Sequence, residues 1–226
     1  MNGILYIVAT PIGNLADFSF RAVDILNSVD LIASEDTRHT KKLLKHYNIN
    51  TSMVSYYEWN EVQRAKELCD QILAGKSIAL VTDAGTPCIS DPGFRIVRQA
   101  QIQNIKVSSI PGPNALITAL SISGLPSDKF YFEGFLPKKK GLKTRLLFLS
   151  SLDASIILYE SPYRIFKTLN LIKKYMGNRF ISISRELTKK FEEVETKSIN
   201  ELIEKYKNKK AKGEFVIIIA KEGFEL

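Results

Sequence analysis

The segment Val81–Gly93 contains the residue types that a small-molecule site needs. It reads VTDAGTPCISDPG and holds two glycines, two prolines and two aspartates. Glycine lets backbone amides approach a ligand closely, proline stiffens the chain, and aspartate accepts hydrogen bonds from hydroxyl or amino groups. The segment follows the apolar run Ser77–Val81 and precedes the amphipathic run Phe94–Ile102. It therefore predicts a loop at the carboxyl end of a buried strand, where open α/β sheets bind ligands.

A purely structural use of the same segment is the alternative. Ser90 or Asp91 could cap the helix that follows, with Pro92 at its first position. A structural turn rarely takes so many residues of these types, however. The composition therefore favours a ligand loop over a capping connector.

Other chemistries lack their sequence patterns. Gly75-Lys76-Ser77 is similar to the end of a phosphate-binding loop, but Asp70 stands where such a loop has glycine, and a helix precedes a strand instead of following one. The first apolar run is not followed by G-x-G-x-x-G, and G-x-S-x-G is absent from the sequence. His39 and His46 have no flanking thiolate or carboxylate at ligand spacing, and the two cysteines form no framework. We expect no metal site.

The formal net charge of +8 favours a polyanionic partner. The positive charge is concentrated in two places. The first basic cluster comprises Arg38, His39, Lys41, Lys42, Lys45 and His46, and the second comprises Lys138, Lys139, Lys140, Lys143 and Arg145. Two solvated surfaces are the structural alternative. Because both clusters adjoin predicted cleft loops, nucleic acid is the favoured partner.

The elements that must position these residues alternate between strand and helix patterns. In the first half, strands are predicted at Ile4–Ala9, Asp30–Ser34, Ser52–Tyr56, Ser77–Val81 and Lys106–Ile110. Helices are predicted at about Phe18–Val29 with Asp17 as a possible cap, from Glu35–Arg38 to about Tyr47, and at Glu58–Ala74, Phe94–Asn104 and Ala115–Ile122. This alternation predicts an α/β fold with a largely parallel sheet.

A domain boundary is expected at Gly124–Asp128, which divides the chain into an N-terminal α/β domain, 1–123, and a C-terminal one, 124–226. The second set has predicted strands at Lys129–Gly134, Ser155–Tyr159, Phe180–Ser184, Glu192–Lys197 and Glu214–Ala220, and helices at Lys143–Leu152, Pro162–Met176 and Ile199–Asn208. The segment Phe191–Lys197 alternates poorly, so it could be an antiparallel or edge strand.

The chain has 226 residues, enough to bury a sizeable core, and 45% hydrophobic content, which is ordinary for a globular protein. Its apolar runs are well short of the length of about 18 residues that a bilayer requires. The N-terminus lacks the basic region of a signal peptide. We expect a cytoplasmic protein that does not enter a membrane.

Several blocks, in chain order, resemble the ribosomal RNA small subunit methyltransferase I family, within the tetrapyrrole methylase superfamily. The blocks are Ile4–Leu15, Ser34–Arg38, Asp83–Pro87, Ser90–Gly93, Ile110–Ala115, Phe132–Pro137, Tyr159–Pro162, Arg185–Lys189 and Lys212–Phe215. They cover essentially the whole chain. The chain departs from the family pattern at Cys88, where relatives usually have glycine, at Tyr163, where many have histidine, and in ending at Leu226, where members commonly continue.

The resemblance implies a fold, a cofactor and a reaction. The fold would be two α/β domains of tetrapyrrole methylase-like (class III) architecture, with S-adenosylmethionine (SAM) in the cleft between them, usually in a homodimer. The reaction would be 2′-O-methylation of a cytidine ribose in the 16S rRNA decoding centre of the small ribosomal subunit. By the same resemblance, the residues that would line the cofactor are Ile12, Asp83, Ala84, Gly85, Thr86, Pro87, Ile89, Asn114, Ala115 and Tyr159.

A general base would help this reaction because a ribose hydroxyl is weakly acidic. The candidates at predicted strand ends are Glu35, Asp36, Glu160 and Glu186. Each has a structural alternative. Asp36 could cap a helix, and Glu160 or Glu186 could pair with Arg164 or Arg185. The sequence does not choose among them.

Two other functions stay open. A small-molecule methylase of the tetrapyrrole type would share the SAM loops, but would not need two basic clusters. A non-catalytic RNA-binding protein would keep the basic clusters, but would not need the Asp83–Gly93 loop.

Overall fold

The computed structural model describes residues 3–208 and 210–226. By the contacts between residues, the chain forms two compact units, Met1–Asn114 and Ala115–Leu226. The expected domain division at 123 and 124 stays a prediction. The predicted helices and strands are all present, with ends shifted by at most three residues.

The first unit contains a five-stranded parallel sheet. Its strands are β1 (Ile4–Val8), β2 (Leu31–Ser34), β3 (Met53–Ser55), β4 (Ile78–Val81) and β5 (Lys106–Ile110), in the order β3-β2-β4-β1-β5. The helices are α1 (Phe20–Ser28), α2 (Thr37–His46), α3 (Glu61–Leu73) and α4 (Phe94–Ile102). The predicted parallel sheet is present in this unit.

Helices cover both faces of this sheet. Leu5 and Ile7 of β1 point to a core formed with α3 and α4, whereas Val8 points to a core formed with α1 and α2. Successive strand side chains point to opposite faces, so a strand covered on both sides must be apolar throughout. Accordingly, all four residues of β4, IALV, are buried.

Two capping expectations differ from the structure. Ser19, not Asp17, caps α1, and its hydroxyl accepts a hydrogen bond from the Ala22 amide at 3.2 Å. Helix α4 begins after Gly93, which has a φ of +144° and makes no side-chain capping bond. A Cβ on Gly93 would lie 2.6 Å from the Cys88 sulfur, so the chain needs glycine at this point. Ser90 and Asp91 therefore do not form the capping connector, because α4 begins beyond them.

The second unit contains a mixed sheet. Its strands are β6 (Phe130–Phe135), β7 (Ser155–Glu160), β8 (Phe180–Arg185), β9 (Glu193–Ser198) and β10 (Phe215–Ile219), in the order β6-β7-β10-β8-β9. Of the pairings described in this second sheet, β6–β7 is parallel and the other three are antiparallel. The prediction of a largely parallel sheet does not extend to this unit, because β10 returns between β7 and β8 in the opposite direction. Strand β9 is an antiparallel edge strand, as its poor alternation indicated.

The core of the second unit lies under one face of its sheet. Helices α6 (Leu142–Ser150), α7 (Ile165–Met176) and α8 (Ile199–Tyr206) pack on alternate residues of the central strands, while α5 (Ala115–Ile122) contacts β10. Ser198 starts α8 with a capping box, in which its side chain and that of Glu201 each bond the other's backbone amide. Strand β10, FVIII, is buried at every position.

Candidate functional site

The carboxyl ends of the first unit's strands lie side by side. Ser34, which ends β2, is in register with Ser55 of β3 and with Val81 of β4, and Val8 is in register with Ile110 of β5. The segments that leave these strands therefore emerge at one edge of the sheet, as in other open α/β sheets that bind ligands.

Three of these segments are joined by hydrogen bonds. The Thr10 amide donates to the Gly85 carbonyl at 2.8 Å, and the Gly85 amide donates to the Thr10 carbonyl at 3.0 Å. The Thr10 hydroxyl also donates to the Thr82 carbonyl at 3.1 Å. The Thr86 hydroxyl donates to the Pro113 carbonyl at 3.2 Å. The loops after β1, β4 and β5 consequently form one connected wall.

Gly85 occupies the centre of this wall. Its φ of +91° is one that residues with a side chain rarely adopt. A Cβ there would lie 3.5 Å from Ile12 Cγ2 and 3.8 Å from the Pro113 carbonyl oxygen. Glycine thus leaves a space, bounded by Ile12 and Pro113, that a side chain would occupy. Such a space lets a ligand approach the backbone.

The other residues predicted to line the cofactor differ in exposure. Asp83, Thr86, Asn114 and Ala115 are half-buried, Ile12 and Pro87 are buried, and Ala84 and Ile89 are exposed. Tyr159, the predicted member from the second unit, is half-buried and packs edge-on against Phe132 and Phe135 at centroid distances of 5.1 and 5.8 Å.

Carboxylates gather around Thr82 at the same edge. The Thr82 hydroxyl donates to Glu35 Oε2 at 2.7 Å, and the Asp36 amide donates to Asp83 Oδ1 at 3.1 Å. Burial and the nearby charge of Glu35 raise the pKa of Asp91 to about 6, although a hydrogen bond with Thr82 partly opposes this shift. Burial also raises the pKa of Asp83. The sequence suggested Asp91 only as a possible helix cap and did not predict that its pKa would be shifted.

Asp36 performs the structural role that the sequence left open for it. It is the N-cap of α2, and its Oδ1 accepts a hydrogen bond from the Arg38 amide at 2.8 Å. The Arg38 guanidinium pairs with the same carboxylate at 2.8 Å, and this hydrogen bond holds the pKa of Asp36 well below its usual range. A carboxylate with so low an affinity for protons is a weak base.

Glu160 ends β7 inside the second unit, with only 1% of its side chain exposed. Its Oε1 accepts from the Ser161 amide at 2.8 Å, and its Oε2 accepts from the Thr168 hydroxyl at 2.6 Å. The Arg164 guanidinium lies 3.4 Å from Oε1. These contacts match the anchoring alternative, in which Glu160 pairs with Arg164 and fixes the turn between β7 and α7.

Glu186 is also engaged by its neighbours. It has a φ of +52°, and its Oε1 accepts from the Glu214 amide at 3.1 Å and from the Lys189 ammonium at 3.1 Å. The pKa of Glu186 is lowered overall. Burial alone would raise it, but the hydrogen bonds and the positive charges of Lys189 and Arg185 have the larger effect. Its predicted partner, Arg185, pairs instead with Glu193 at 3.2 Å.

The two basic clusters are mostly solvent-exposed. In the first, which runs from the start of α2, Arg38, His39, Lys41, Lys42, Lys45 and His46 are exposed. In the second, Lys138, Lys139, Lys140 and Lys143 are exposed. Lysine and arginine side chains that are exposed to solvent at these positions can bind the phosphates of a nucleic acid.

Arg145 differs from the rest of the second basic cluster. Its Nε donates to Glu133 Oε1 at 2.7 Å, its Nη2 donates to the Tyr131 hydroxyl at 2.8 Å, and its guanidinium carbon lies 4.9 Å from the Phe148 ring centroid. Glu133 is buried, with 7% of its side chain exposed. Arg145 of α6 therefore binds two side chains of β6. The sequence, in which Arg145 is one of several neighbouring basic residues, does not reveal this pairing.

Within residues 3–208 and 210–226, which the structure describes, no group of three or more His, Cys, Asp or Glu side chains is arranged to hold a metal ion. No helix in that part of the chain is both long and apolar enough to cross a bilayer.

A sequence model of the Tetrapyrrole (Corrin/Porphyrin) Methylases matches residues 4–203 of the chain. The chain belongs to this family. This tetrapyrrole methylase is 51% identical over 220 residues to the ribosomal RNA small subunit methyltransferase I of Vibrio cholerae, a match that covers 96% of the chain and 76% of the relative. It is 46% identical over 221 residues to the protein of the same name from Escherichia coli O157:H7, covering 96% and 77%.

Solved structures show the same fold at much lower identity. A diphthine synthase superposes with a TM-score of 0.76 at 13% identity, covering 98% of this methylase and 91% of that chain. The methyltransferase CobJ gives a TM-score of 0.71 at 14% identity, covering 99% and 96%. At such identities the likeness shows the fold alone. Together with the family match and the relatives, it makes the protein a methyltransferase that uses SAM.

Proposed function

We propose that this methyltransferase transfers the methyl group of SAM to the ribose 2′-hydroxyl of a cytidine in the decoding centre of 16S rRNA. The observation that carries the proposal is the 46–51% identity, over nearly the whole chain, to relatives named for methylation of small-subunit rRNA. The cytidine and the 2′-oxygen come from the family resemblance. The exposed basic clusters support an RNA substrate over a small molecule.

The connected loops of the first unit fit the cofactor. SAM carries an adenosine and an amino-acid tail, so it needs an apolar wall and hydrogen-bond acceptors. Ile12 and Pro87 would supply the wall, Asp83 would accept from the ribose hydroxyls or the amino group, and Gly85 would allow close approach to the backbone. The remaining members proposed for this site are Ala84, Thr86, Ile89, Asn114, Ala115 and Tyr159.

SAM supplies a methyl group on a positively charged sulfur and leaves as a neutral thioether. The protein's task is then to align the ribose oxygen and to remove its proton. Among the four candidate bases, Asp36, Glu160 and Glu186 are each paired with a cation. We assign the proton-accepting role to Glu35, which receives the Thr82 hydroxyl at the edge where the cofactor loop begins.

The partners and location follow from the same proposal. The substrate would be 16S rRNA or the small ribosomal subunit, contacted by Arg38, Lys41 and Lys42 and by the exposed lysines of the second basic cluster, Lys138, Lys139, Lys140 and Lys143. We further infer a cytoplasmic homodimer, by the family resemblance. Sedimentation velocity of the purified protein tests the dimer.

Methyl transfer with defined substrates tests the proposed function. The purified protein would be incubated with methyl-labelled SAM and with 30S particles or naked 16S rRNA from cells that lack the modification, and the RNA would be digested to nucleosides. We expect label in 2′-O-methylcytidine. Label in a base, or transfer to a tetrapyrrole but not to rRNA, would contradict the proposal. SAM binding without any transfer would favour a different substrate, and RNA binding without SAM binding would favour a non-catalytic protein.

The assignment of Glu35 has its own test. Glu35→Gln should lower single-turnover methylation by about 10²–10⁴-fold, the usual range for a general base, while SAM and RNA binding persist. Glu204→Gln, at an exposed carboxylate on α8, is the matched control. A Glu35→Gln enzyme that keeps the wild-type rate would contradict this role.

A further inference from the structure

The parallel strands β6 and β7 bring two loops of the second unit together. Phe135, which ends β6, is in register with Tyr159 of β7. The loop that follows β6 begins at Leu136 and carries Lys138–Lys140, and the turn that follows β7 carries Tyr163. Both leave their strands at the same edge of the sheet.

Aromatic rings are exposed at this edge. Tyr163 is 96% exposed and Phe135 is 59% exposed. Phe135 rests edge-on against Tyr159 with a centroid distance of 5.8 Å. A ring as exposed as that of Tyr163 buries little surface of its own protein, so packing within the fold does not explain an aromatic residue at this position.

The turn that carries Tyr163 is held firmly. The Arg164 amide donates to the Ser161 carbonyl at 3.0 Å, and the buried Glu160 carboxylate accepts from the Ser161 amide at 2.8 Å. Arg164 also donates from Nη2 to the Leu136 carbonyl at 3.0 Å. This bond joins the turn to the start of the lysine loop. One hydrogen-bond network therefore joins the turn that carries Tyr163 to the residue that begins the lysine loop.

The exposed charged side chains of these two loops are all lysines. Lys138–Lys140 and Lys143 are exposed, whereas the nearby carboxylates of Glu133 and Glu160 are buried, and each of these pairs with an arginine. Exposed rings beside a lysine loop are the combination with which proteins bind single-stranded nucleic acid, because bases stack on the rings and cations hold the phosphates.

We propose that Tyr163 and Phe135 form a base-stacking platform for unpaired nucleotides of the RNA substrate, with Lys138–Lys140 holding the adjoining phosphates. The proposal rests on the proposed function, since it takes RNA as the substrate, and it adds which form of RNA is recognised. Bases within a duplex are already stacked on one another, so the platform selects strands whose bases are open.

Binding measurements on Tyr163→Ala test this platform. Stacking of one base is worth about 5- to 150-fold in affinity, so Tyr163→Ala should weaken binding of a single-stranded oligonucleotide by a factor in this range. Binding of a duplex and of SAM should not change. The matched control is Phe191→Ala, which removes a ring that is 66% exposed and lies beside Lys190 in the same unit. Equal losses for both variants, or none for Tyr163→Ala, would overturn the proposal.

A fluorescent version reports stacking directly. Trp59 is the only tryptophan of the chain, so Trp59→Phe combined with Tyr163→Trp gives one emitter at the platform. We expect a single-stranded oligonucleotide to quench its emission and the matching duplex to leave it unchanged. If the emission is instead quenched when the protein concentration is raised without RNA, and the oligomeric state changes with it, the ring contacts a second copy of the chain. That result would overturn the proposal.

The two proposals can fail separately. If the protein methylates rRNA while Tyr163→Ala binds single strands as the wild type does, only the stacking platform is lost. If the wild-type protein binds neither single-stranded nor duplex RNA, the proposed function fails as well.

Discussion

The Thr168 hydroxyl donates a hydrogen bond to the Glu160 carboxylate across 2.6 Å, and both side chains are buried in the second unit. This bond ties the first turns of α7 to the end of β7. Together with the Arg164 guanidinium, it gives Glu160 a set of partners suited to holding a turn in place. We predict that Glu160 anchors this turn and is not the base, and measurements of stability and rate separate the two roles.

Glu160→Gln keeps the shape of the side chain but removes its charge and places an amide nitrogen near donors. We expect a loss of about 2–4 kcal/mol in the free energy of unfolding, because the hydrogen bonds of the buried carboxylate weaken and the half-buried Arg164 guanidinium loses its charged partner. Single-turnover methylation should stay within about threefold of wild type. Calorimetry and quench-flow on the same variant measure both quantities. A rate lower by about 10²–10⁴-fold with an unchanged Tm would instead make Glu160 the base.

Gly85→Val should weaken SAM binding by at least about tenfold. The φ of +91° costs a branched residue about 1–3 kcal/mol, and its methyl groups would enter the space beside Ile12 that we propose for the cofactor. Isothermal titration with SAM measures the affinity. Gly223→Val, at a φ of +76° with no neighbouring atom within 4 Å of its Cβ, controls for backbone strain alone. Equal SAM affinity in folded Gly85→Val would remove Gly85 from the site.

Asp91 should make stability depend on pH. Burial raises the pKa of Asp91 from its ordinary value of 3.8 to about 6, so the folded protein binds this proton more tightly than the unfolded chain does. The stability from this group is therefore fully present below about pH 4 and is lost as the pH rises through 6. Asp91→Asn removes that dependence.

Relative to wild type, Asp91→Asn should gain about 2–3 kcal/mol of unfolding free energy between pH 4 and pH 7.5. Urea denaturation across this range measures the difference. Glu35 and Asp83 are the charges that face Asp91 and raise its pKa, and they are present in both proteins. Asp153→Asn, at an exposed carboxylate, should show no such trend. A constant difference between Asp91→Asn and wild type would contradict the prediction.

The second basic cluster should contain residues that bind RNA, Lys138–Lys140, and one residue that stabilises the fold, Arg145. Changing Lys138, Lys139 and Lys140 to alanine should lower the salt dependence of single-strand binding by about 0.7 log unit for each lost phosphate contact, without affecting Tm. Arg145→Ala should leave that slope unchanged but destabilise the protein by about 2–4 kcal/mol, because Glu133 would remain buried without its cation. Binding titrations at several salt concentrations, with melting curves, test both. Equal slope changes would place Arg145 among the phosphate contacts.

Local pattern predicted the elements well, since apolar periodicity reflects which side of a strand or helix is buried. It did not give the strand order. Asp91, Thr82 and Glu35 meet because β2 lies beside β4, although the two strands are separated along the chain by α2, β3 and α3. Adjacency of this kind depends on the packing of the whole sheet, which no short segment encodes.

The second unit shows the same limit. A run of apolar residues, Phe215–Ile219, predicts a buried strand but not its direction, so the insertion of β10 between antiparallel neighbours could not be foreseen. Arg145 looks in sequence like the lysines beside it, and only the position of α6 over β6 reveals its pairing with Glu133. The sequence did not predict Phe135 and Tyr163 as RNA contacts, because the exposure of their rings depends on the tertiary structure.

The most direct test of the central claim maps ribose methylation on 16S rRNA from three strains, which have the gene, lack it, or carry it again on a plasmid. We expect one 2′-O-methylcytidine in the decoding centre to be present, absent and restored, and a plasmid copy with Glu35→Gln to fail to restore it. A methylation pattern that is identical in all three strains would contradict the claim that this protein is a 16S rRNA ribose methyltransferase.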